Sequence, residues 1–135
     1  MPELPEVEQG ARMLARATVG RAITSIQVRH PAYARALPER DVARLVGRTV
    51  TAVTRRGKHQ IATLDDGAVL EVHFRMTGQW HIGRTSDAPV AFARLLVDLD
   101  DGTRVALTDP RALGTARLHR AGALSLPPLG PARRL

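Results

Sequence analysis

The hydrophobic pattern changes its period near residue 49, and this change constrains the fold more than any other feature of the chain. Beyond it, apolar and polar residues alternate in short runs, which is typical of strands. The predicted strands are Thr49–Arg55, Gln60–Leu64, Ala68–Phe74, Gln79–Ile82, Leu95–Leu99, Arg104–Leu107 and Thr115–His119. Leu-Asp-Asp-Gly occurs at 64–67 and again at 99–102, and Asp-Gly favours a hairpin because glycine adopts positive φ without steric cost. A mainly antiparallel sheet is therefore expected.

Before residue 49 the pattern is mainly helical. Apolar residues recur at helical spacing over residues 3–18, which predicts an amphipathic helix ending near Gly20. We then expect a strand at Ala22–Val28, an irregular loop over residues 29–38 and a second helix over Glu39–Val46. In that second helix the residues expected to face inward are Val42, Leu45 and Val46. The expected fold class is α+β: an N-terminal helix plus an antiparallel β-sandwich (flattened barrel), with a second short helix at its edge.

Length and composition favour one small domain. The chain has 135 residues, of which 44% are hydrophobic, enough for a core. We expect this domain to occupy residues 1–126. Residues 127–135 begin Pro-Pro-Leu-Gly-Pro, a composition typical of a linker.

Charge and cysteine content narrow the class of partner. The formal net charge of +7 favours a polyanion such as nucleic acid over a basic surface that merely aids solubility. With no cysteine, the chain can hold no disulfide, thiolate zinc site or iron–sulfur cluster. Aromatic residues are only 3%, so base stacking is not expected to be the main binding device. No apolar run is long enough to span a bilayer, and the start of the chain is acidic where a signal peptide is basic, so an intracellular protein is expected.

Lys58 is the single lysine among 20 Lys and Arg residues. It lies in Arg55-Arg56-Gly57-Lys58-His59, the densest basic cluster of the chain. A compact ammonium suits a phosphate pocket, which favours a functional role. The alternative is a solvated basic turn in which one lysine persists by chance.

The first eight residues, Met-Pro-Glu-Leu-Pro-Glu-Val-Glu, contain a candidate nucleophile. Once Met1 is removed, the nitrogen of Pro2 is a secondary amine that can attack an aldehyde-like carbon and form an iminium. A helix N-terminus disfavours protonation of that amine, and Glu3 beside it can transfer protons. The alternative is ordinary helix-start chemistry, in which proline occupies the first turn and acidic side chains face the positive end of the helix dipole.

Taken together and in order, the motifs resemble the formamidopyrimidine-DNA glycosylase and endonuclease VIII family. The matching strings are residues 1–8, Arg55-Arg56-Gly57-Lys58, His73-Phe74-Arg75-Met76-Thr77-Gly78, Thr108-Asp109-Pro110-Arg111-Ala112-Leu113-Gly114 and Leu129-Gly130-Pro131. The resemblance implies the N-terminal catalytic domain of such an enzyme. Members of the family continue into a helix–two-turn–helix domain, usually with a zinc finger. Any zinc ion would belong to that further domain, and no cofactor is expected in this chain.

The resemblance also implies the catalytic roles. Pro2 would attack C1′ of the damaged nucleoside, and Glu3 would be the acid/base that helps to open the sugar. Glu6 would hold the geometry of the site. Lys58 would contact phosphate beside the lesion and assist strand cleavage.

Four further residues would contact DNA. His73 would bind phosphate, while Met76, Arg111 and Leu113 would fill the space left by the extruded nucleotide. From the residues alone, His73 could instead lie on the solvent face of a strand, and Met76 could be a core side chain. Arg111 could cap a carbonyl or pair with Asp109. Leucine at position 113, where the family usually has phenylalanine, stacks less well on a base.

The implied function is a glycosylase and abasic-site (AP) lyase of base excision repair that removes oxidised bases, with purines favoured over pyrimidines. Its partner would be damaged double-stranded DNA, and we expect a monomer, without membrane contact, in the cytoplasm and nucleoid of a bacterial-type cell. A non-catalytic DNA-binding glycosylase-like fragment is the alternative. A basic RNA-binding β-barrel would also fit the charge but explains none of the N-terminal string.

Overall fold

The computed structural model describes residues 4–123 and 133–134. Pro2, Glu3 and residues 124–132 lie outside the described residues, so the expectations for them stay predictions. The helices are α1 (Leu4–Thr18), α2 (Pro31–Ala36) and α3 (Glu39–Leu45). The strands are β1 (Ile23–Val28), β2 (Val50–Arg56), β3 (His59–Leu64), β4 (Val69–His73), β5 (Gln79–Arg84), β6 (Ala93–Leu99), β7 (Thr103–Thr108), β8 (Thr115–His119) and β9 (Arg133–Arg134).

The strands form two antiparallel sheets that pack face to face. One sheet has the order β1-β6-β7-β5 and the other the order β8-β4-β3-β2-β9. The core between them is mainly aliphatic, with the Phe74 and Trp80 rings in edge contact at 5.6 Å between centroids. The expected α+β sandwich is confirmed.

Helix α1 closes one side of the sandwich by packing across β2, β5 and β7. Its buried stripe of Val7, Ala11 and Leu14 follows the helical spacing of the sequence. At its C-terminal end the Arg21 guanidinium donates to the carbonyls of Arg16 and Ala17, which satisfies two otherwise unpaired acceptors. Among the described residues, no helix has the length and apolar character of a membrane span.

The two Leu-Asp-Asp-Gly turns form the hairpins that the sequence predicts. They join β3 to β4 and β6 to β7, and Gly67 and Gly102 have φ of 85° and 84°. In each turn the N–H of the residue directly after the glycine is held by a turn aspartate in the same way. Asp66 accepts from the Ala68 N–H and Asp101 from the Thr103 N–H, both at 3.0 Å. The repeated sequence therefore repeats a turn chemistry.

Two local predictions are wrong. Residues 29–38 are not wholly irregular, because Pro31 begins the short helix α2 and His30 Nδ1 accepts from the Ala32 N–H at its start. Val46 does not face inward, since α3 ends at Leu45 and the extended backbone at Val46 leaves it 41% exposed.

The strand registers bring four connecting segments to the same end of the sandwich. His59 is paired with His73, and His73 with Thr115, so the β2–β3 turn lies beside the end of β4 and the start of β8. Thr108 is paired with both Gln79 and Ala93, which brings the ends of β7, β5 and β6 together. We call this the crossover end, because the chain crosses between the sheets here. Its segments are residues 57–58, 74–78, 90–92 and 109–114.

Candidate functional site

A groove of ≈490 Å³ opens at the crossover end between α1 and the segment that leads into β5. Its lining residues are Glu6, Gln9, Gly10, Met13, Phe74, Met76, Thr77, Gly78, Gln79 and Trp80. The carboxylate of Glu6 enters from the first turns of α1. Met76 enters from the opposite wall and is 47% exposed, so its interpretation as a core side chain is wrong. The groove thus pairs an acidic group with a flexible apolar one.

An ion pair ties the Lys58 turn to the start of α1. Arg55 Nε donates to Glu8 Oε1 at 2.9 Å, and Arg55 Nη1 donates to the carbonyl of Gly57 at 2.8 Å. The Arg55 and Glu8 side chains are only 16% and 17% exposed, so the pair is shielded from water. This contact holds half-buried Lys58 beside the N-terminal end of α1, which begins directly after Glu3 in the chain.

His73 is buried at the end of β4 rather than placed on a solvent face, so that alternative is wrong. Its Nδ1 accepts from the Arg75 N–H at 3.0 Å. Burial, with help from the charges of His59, Arg75 and Lys58, lowers the pKa of His73 to about 4. The ring is therefore neutral at pH 7 with its proton on Nε2, where it can donate one hydrogen bond.

The carboxylate of Glu71, which two histidines share, supports His73 through one of them on the outer face of the sheet. Glu71 accepts from His59 Nδ1 on β3 and from His119 Nε2 on β8, the latter at 2.9 Å. Burial opposes ionisation of Glu71, but the hydrogen bonds from the two imidazoles outweigh it and hold its pKa below the ordinary value. The His59 ring meets the His73 ring edge-on at 4.8 Å between centroids. This network spans three strands and fixes the ring that packs against His73.

Asp109 joins the two sheet crossings through one fully buried carboxylate. It accepts from Tyr33 Oη at 2.7 Å, from the Gly114 N–H at 2.8 Å and from Thr77 Oγ1. Thr77 follows Met76, and Gly114 follows Leu113. The carboxylate therefore holds the Met76 segment and the Arg111–Leu113 segment in a fixed relation.

The surroundings of Asp109 admit neither a larger residue at 114 nor a charged tyrosine. A Cβ at position 114 would lie 2.5 Å from Tyr33 Oη and 2.9 Å from the His73 carbonyl, so only glycine fits. Burial, reinforced by Asp109, raises the pKa of Tyr33 well above its ordinary value. Tyr33 therefore stays a hydrogen-bond donor. It lies on α2, the helix that the sequence did not predict.

Arg111 and Leu113 point into solvent on either side of Ala112, whose φ is 52°. Leu113 is 44% exposed. Among the described residues no ion pair joins Arg111 to Asp109, whose carboxylate is occupied by the three donors above. The segment carries both side chains outward, available to a ligand at the crossover end.

The structure thus brings six predicted residues to the crossover end: Glu6, Lys58, His73, Met76, Arg111 and Leu113. Pro2 and Glu3 lie outside the described residues. Sequence reasoning missed the supporting groups Tyr33, Arg55 and Asp109. The last two stood within the matched strings, whereas no sequence signal marked Tyr33.

Within residues 4–123 and 133–134, no group of three or more His, Asp or Glu side chains is arranged to hold a metal ion. The expectation that this chain needs no cofactor remains a prediction.

Comparison with known proteins identifies a family. Residues 1–116 match the family model described as the formamidopyrimidine-DNA glycosylase N-terminal domain. A formamidopyrimidine-DNA glycosylase of Mycolicibacterium smegmatis is 43% identical over 117 residues, covering 84% of this chain and 40% of that protein. One of Rhizorhabdus wittichii is 36% identical over 140 residues, covering 97% and 51%.

A solved structure gives the same result. The Lactococcus lactis formamidopyrimidine-DNA glycosylase, non-covalently bound to DNA containing an AP site, superposes with a TM-score of 0.81 at 30% identity. The match covers 87% of this chain and 45% of that one. The chain therefore spans about half the length of its relatives, or less.

Proposed function

Because this chain belongs to the formamidopyrimidine-DNA glycosylase N-terminal domain family, we propose that it carries the chemical centre of a bifunctional DNA glycosylase and AP lyase of base excision repair. The observation that carries the proposal is the convergence at the crossover end. Glu6 and Met76 face one groove, Lys58 lies beside it, and α1 starts there immediately after Glu3.

The proposed reaction starts at Pro2, freed by removal of Met1. Its nitrogen lone pair forms a bond to C1′ while the bond from C1′ to the damaged base breaks, and the base leaves with the proton that the Pro2 nitrogen gives up. Glu3 protonates the sugar ring oxygen, so that the ring opens and an iminium joins protein and DNA. Elimination of the 3′ and then the 5′ phosphate completes strand cleavage.

The described residues would bind and position the DNA. The Lys58 ammonium and the Nε2–H of neutral His73 would donate to phosphate oxygens beside the lesion. Met76 and Leu113 would occupy the space left in the stack, and Arg111 would donate to the unpaired base on the other strand. The ≈490 Å³ groove would receive the extruded base, with Glu6 at its polar wall.

The expected setting follows from the same proposal. The substrate would be damaged double-stranded DNA, with oxidised purines favoured, and the protein would act as a monomer in a bacterial cytoplasm, on the nucleoid. The relatives named above are bacterial. The net charge of +7 supports a polyanionic partner.

The test compares two forms of the chain that differ only in Met1. Each is incubated with duplex DNA containing an abasic site and then reduced with borohydride, which traps an iminium. The form that begins at Pro2 should give a covalent adduct, and the form that retains Met1 should give none, because its Pro2 nitrogen is an amide. Pro2→Gly should reduce trapping strongly without changing the fold. Equal trapping by both forms, or by neither, would contradict the mechanism.

A second candidate is a DNA-binding module without turnover, favoured by the net charge of +7. It predicts steeply salt-dependent binding, little preference for lesions and no adduct from either form.

A further inference from the structure

Phe92 stands apart from the other aromatic residues. Tyr33, Phe74 and Trp80 are 1%, 4% and 8% exposed, whereas Phe92 is 55% exposed. A single exposed apolar side chain is ordinary on a protein surface. What distinguishes this one is its backbone and its position.

The backbone of Phe92 is held in a conformation that bulky residues avoid. Its φ is 61°, and the other described non-glycine residues with positive φ are Arg75 and Ala112. Arg75 precedes Met76, and Ala112 lies between Arg111 and Leu113. Such backbone strain concentrates at functional sites and persists only where the surroundings enforce it. All three strained residues belong to the crossover end.

The contacts that enforce this conformation come from the same segment that carries Arg111. The Asp109 N–H donates to the Phe92 carbonyl at 3.0 Å. Arg94 donates to the carbonyls of Asp109 and Pro110 at 2.9 and 3.0 Å. The Arg94 guanidinium also lies 5.7 Å from the centroid of the Phe92 ring. The ring is thus positioned by the Asp109 segment and accompanied by a cation.

We propose that Phe92 is a further DNA-contacting residue, an apolar wedge that packs against a base or sugar of the duplex next to the damaged nucleotide. The proposal rests on the proposed function. Its occupant is duplex DNA because the exposed ring has the Arg94 guanidinium 5.7 Å from its centroid and lies at the same crossover end as Arg75 and Arg111. This combination suits an apolar nucleotide face bordered by phosphates. An apolar ring that contacts a base adds affinity that does not depend on salt.

The test measures binding of fluorescently labelled duplexes, one intact and one with a non-cleavable abasic-site analogue, by anisotropy at two salt concentrations. Phe92→Ala should weaken binding of the abasic duplex roughly tenfold without changing the salt dependence. Phe92→Tyr should keep near-normal affinity because the ring remains. Val46→Ala is the matched control: Val46 is 41% exposed but follows α3, away from the crossover end, and its loss should have no effect.

The outcomes separate this proposal from the proposed function. If the unsubstituted chain prefers the abasic duplex and Phe92→Ala binds it equally well, the wedge is refuted while the glycosylase assignment stands. If the unsubstituted chain shows no such preference, both fail. A tenfold loss accompanied by a lower urea midpoint, and not restored in Phe92→Tyr, would make Phe92 a folding residue and overturn the proposal.

Discussion

Replacing Asp109 should reveal how much of the crossover end depends on one carboxylate. Asp109→Ala removes the acceptor for Tyr33 Oη, the Gly114 N–H and Thr77 Oγ1. The first two donors are buried, and each unpaired buried donor costs about 1–3 kcal/mol. The free energy of unfolding should therefore fall by about 2–6 kcal/mol, a large share of the stability of a small domain.

Two graded variants test that reasoning. In Asp109→Asn the amide oxygen can still accept from Tyr33 and Gly114 while the NH₂ group faces the Thr77 hydroxyl, so we expect a loss of about 1–2 kcal/mol. Tyr33→Phe removes one donor and leaves the carboxylate with two, which should cost about 1 kcal/mol. The expected order of destabilisation is thus Asp109→Ala, then Asp109→Asn, then Tyr33→Phe.

Urea unfolding followed by tryptophan fluorescence measures these differences well, because Trp80 is the only tryptophan and lies 8% exposed beside the same end of the sandwich. The three midpoints are compared at a common slope, since a changed slope indicates a different unfolding reaction. If Asp109→Ala is no less stable than Tyr33→Phe, the carboxylate does not clamp the crossings and the account of the site is refuted.

Two further outcomes follow from the site. The pKa of His73 is about 4 in the folded chain against an ordinary 6.5, so between these pH values the unfolded chain binds a proton that the folded chain does not bind. The free energy of unfolding should therefore fall by up to about 3 kcal/mol as the pH drops through this window. Urea midpoints at pH 7, 5.5 and 4.5 should fall less steeply for His73→Gln than for the unsubstituted chain. Arg55→Ala breaks the shielded contacts with Glu8 and Gly57, so it should lower the free energy of unfolding by about 1–3 kcal/mol and reduce borohydride trapping. Arg12→Ala is the control: it removes an exposed ion pair with the same Glu8 and should change trapping little. Equal effects of the two variants would contradict a role for Arg55 in holding the Lys58 turn.

Local sequence signals predicted most of the sandwich. Alternation marked the strands and Asp-Gly marked both hairpins, because these features depend on residues close together in the chain. Helix α2 escaped prediction because it has six residues and one buried side chain, Tyr33, which is too little to show a period. A hydrogen bond from Tyr33 to Asp109, 76 residues away, anchors it, and no local pattern could show that contact.

In the site, too, local signals predicted some residues, and contacts between distant parts of the chain determine the rest. The motif strings identified Met76 and Arg111, which are exposed, and half-buried Lys58, and all three carry recognisable chemistry. They did not reveal that His73 is buried, because β4 is covered on both faces and alternation therefore carries no information there. The outer cover includes Glu71 and its two imidazole partners, and only the register of β3, β4 and β8 brings these together.

The carboxylate of Asp109 also has a consequence for how DNA would be engaged. Because it joins the 74–78 and 109–114 segments, the spacing between Met76 and Leu113 is set before a duplex arrives, and binding need not order them. A rigid template of this kind leaves the bending to the nucleic acid. Stiff, well-stacked steps would resist it, and steps loosened by damage would yield at lower cost. The ease with which the duplex bends would then be the first property by which a damaged site is selected, before any contact with the damaged base.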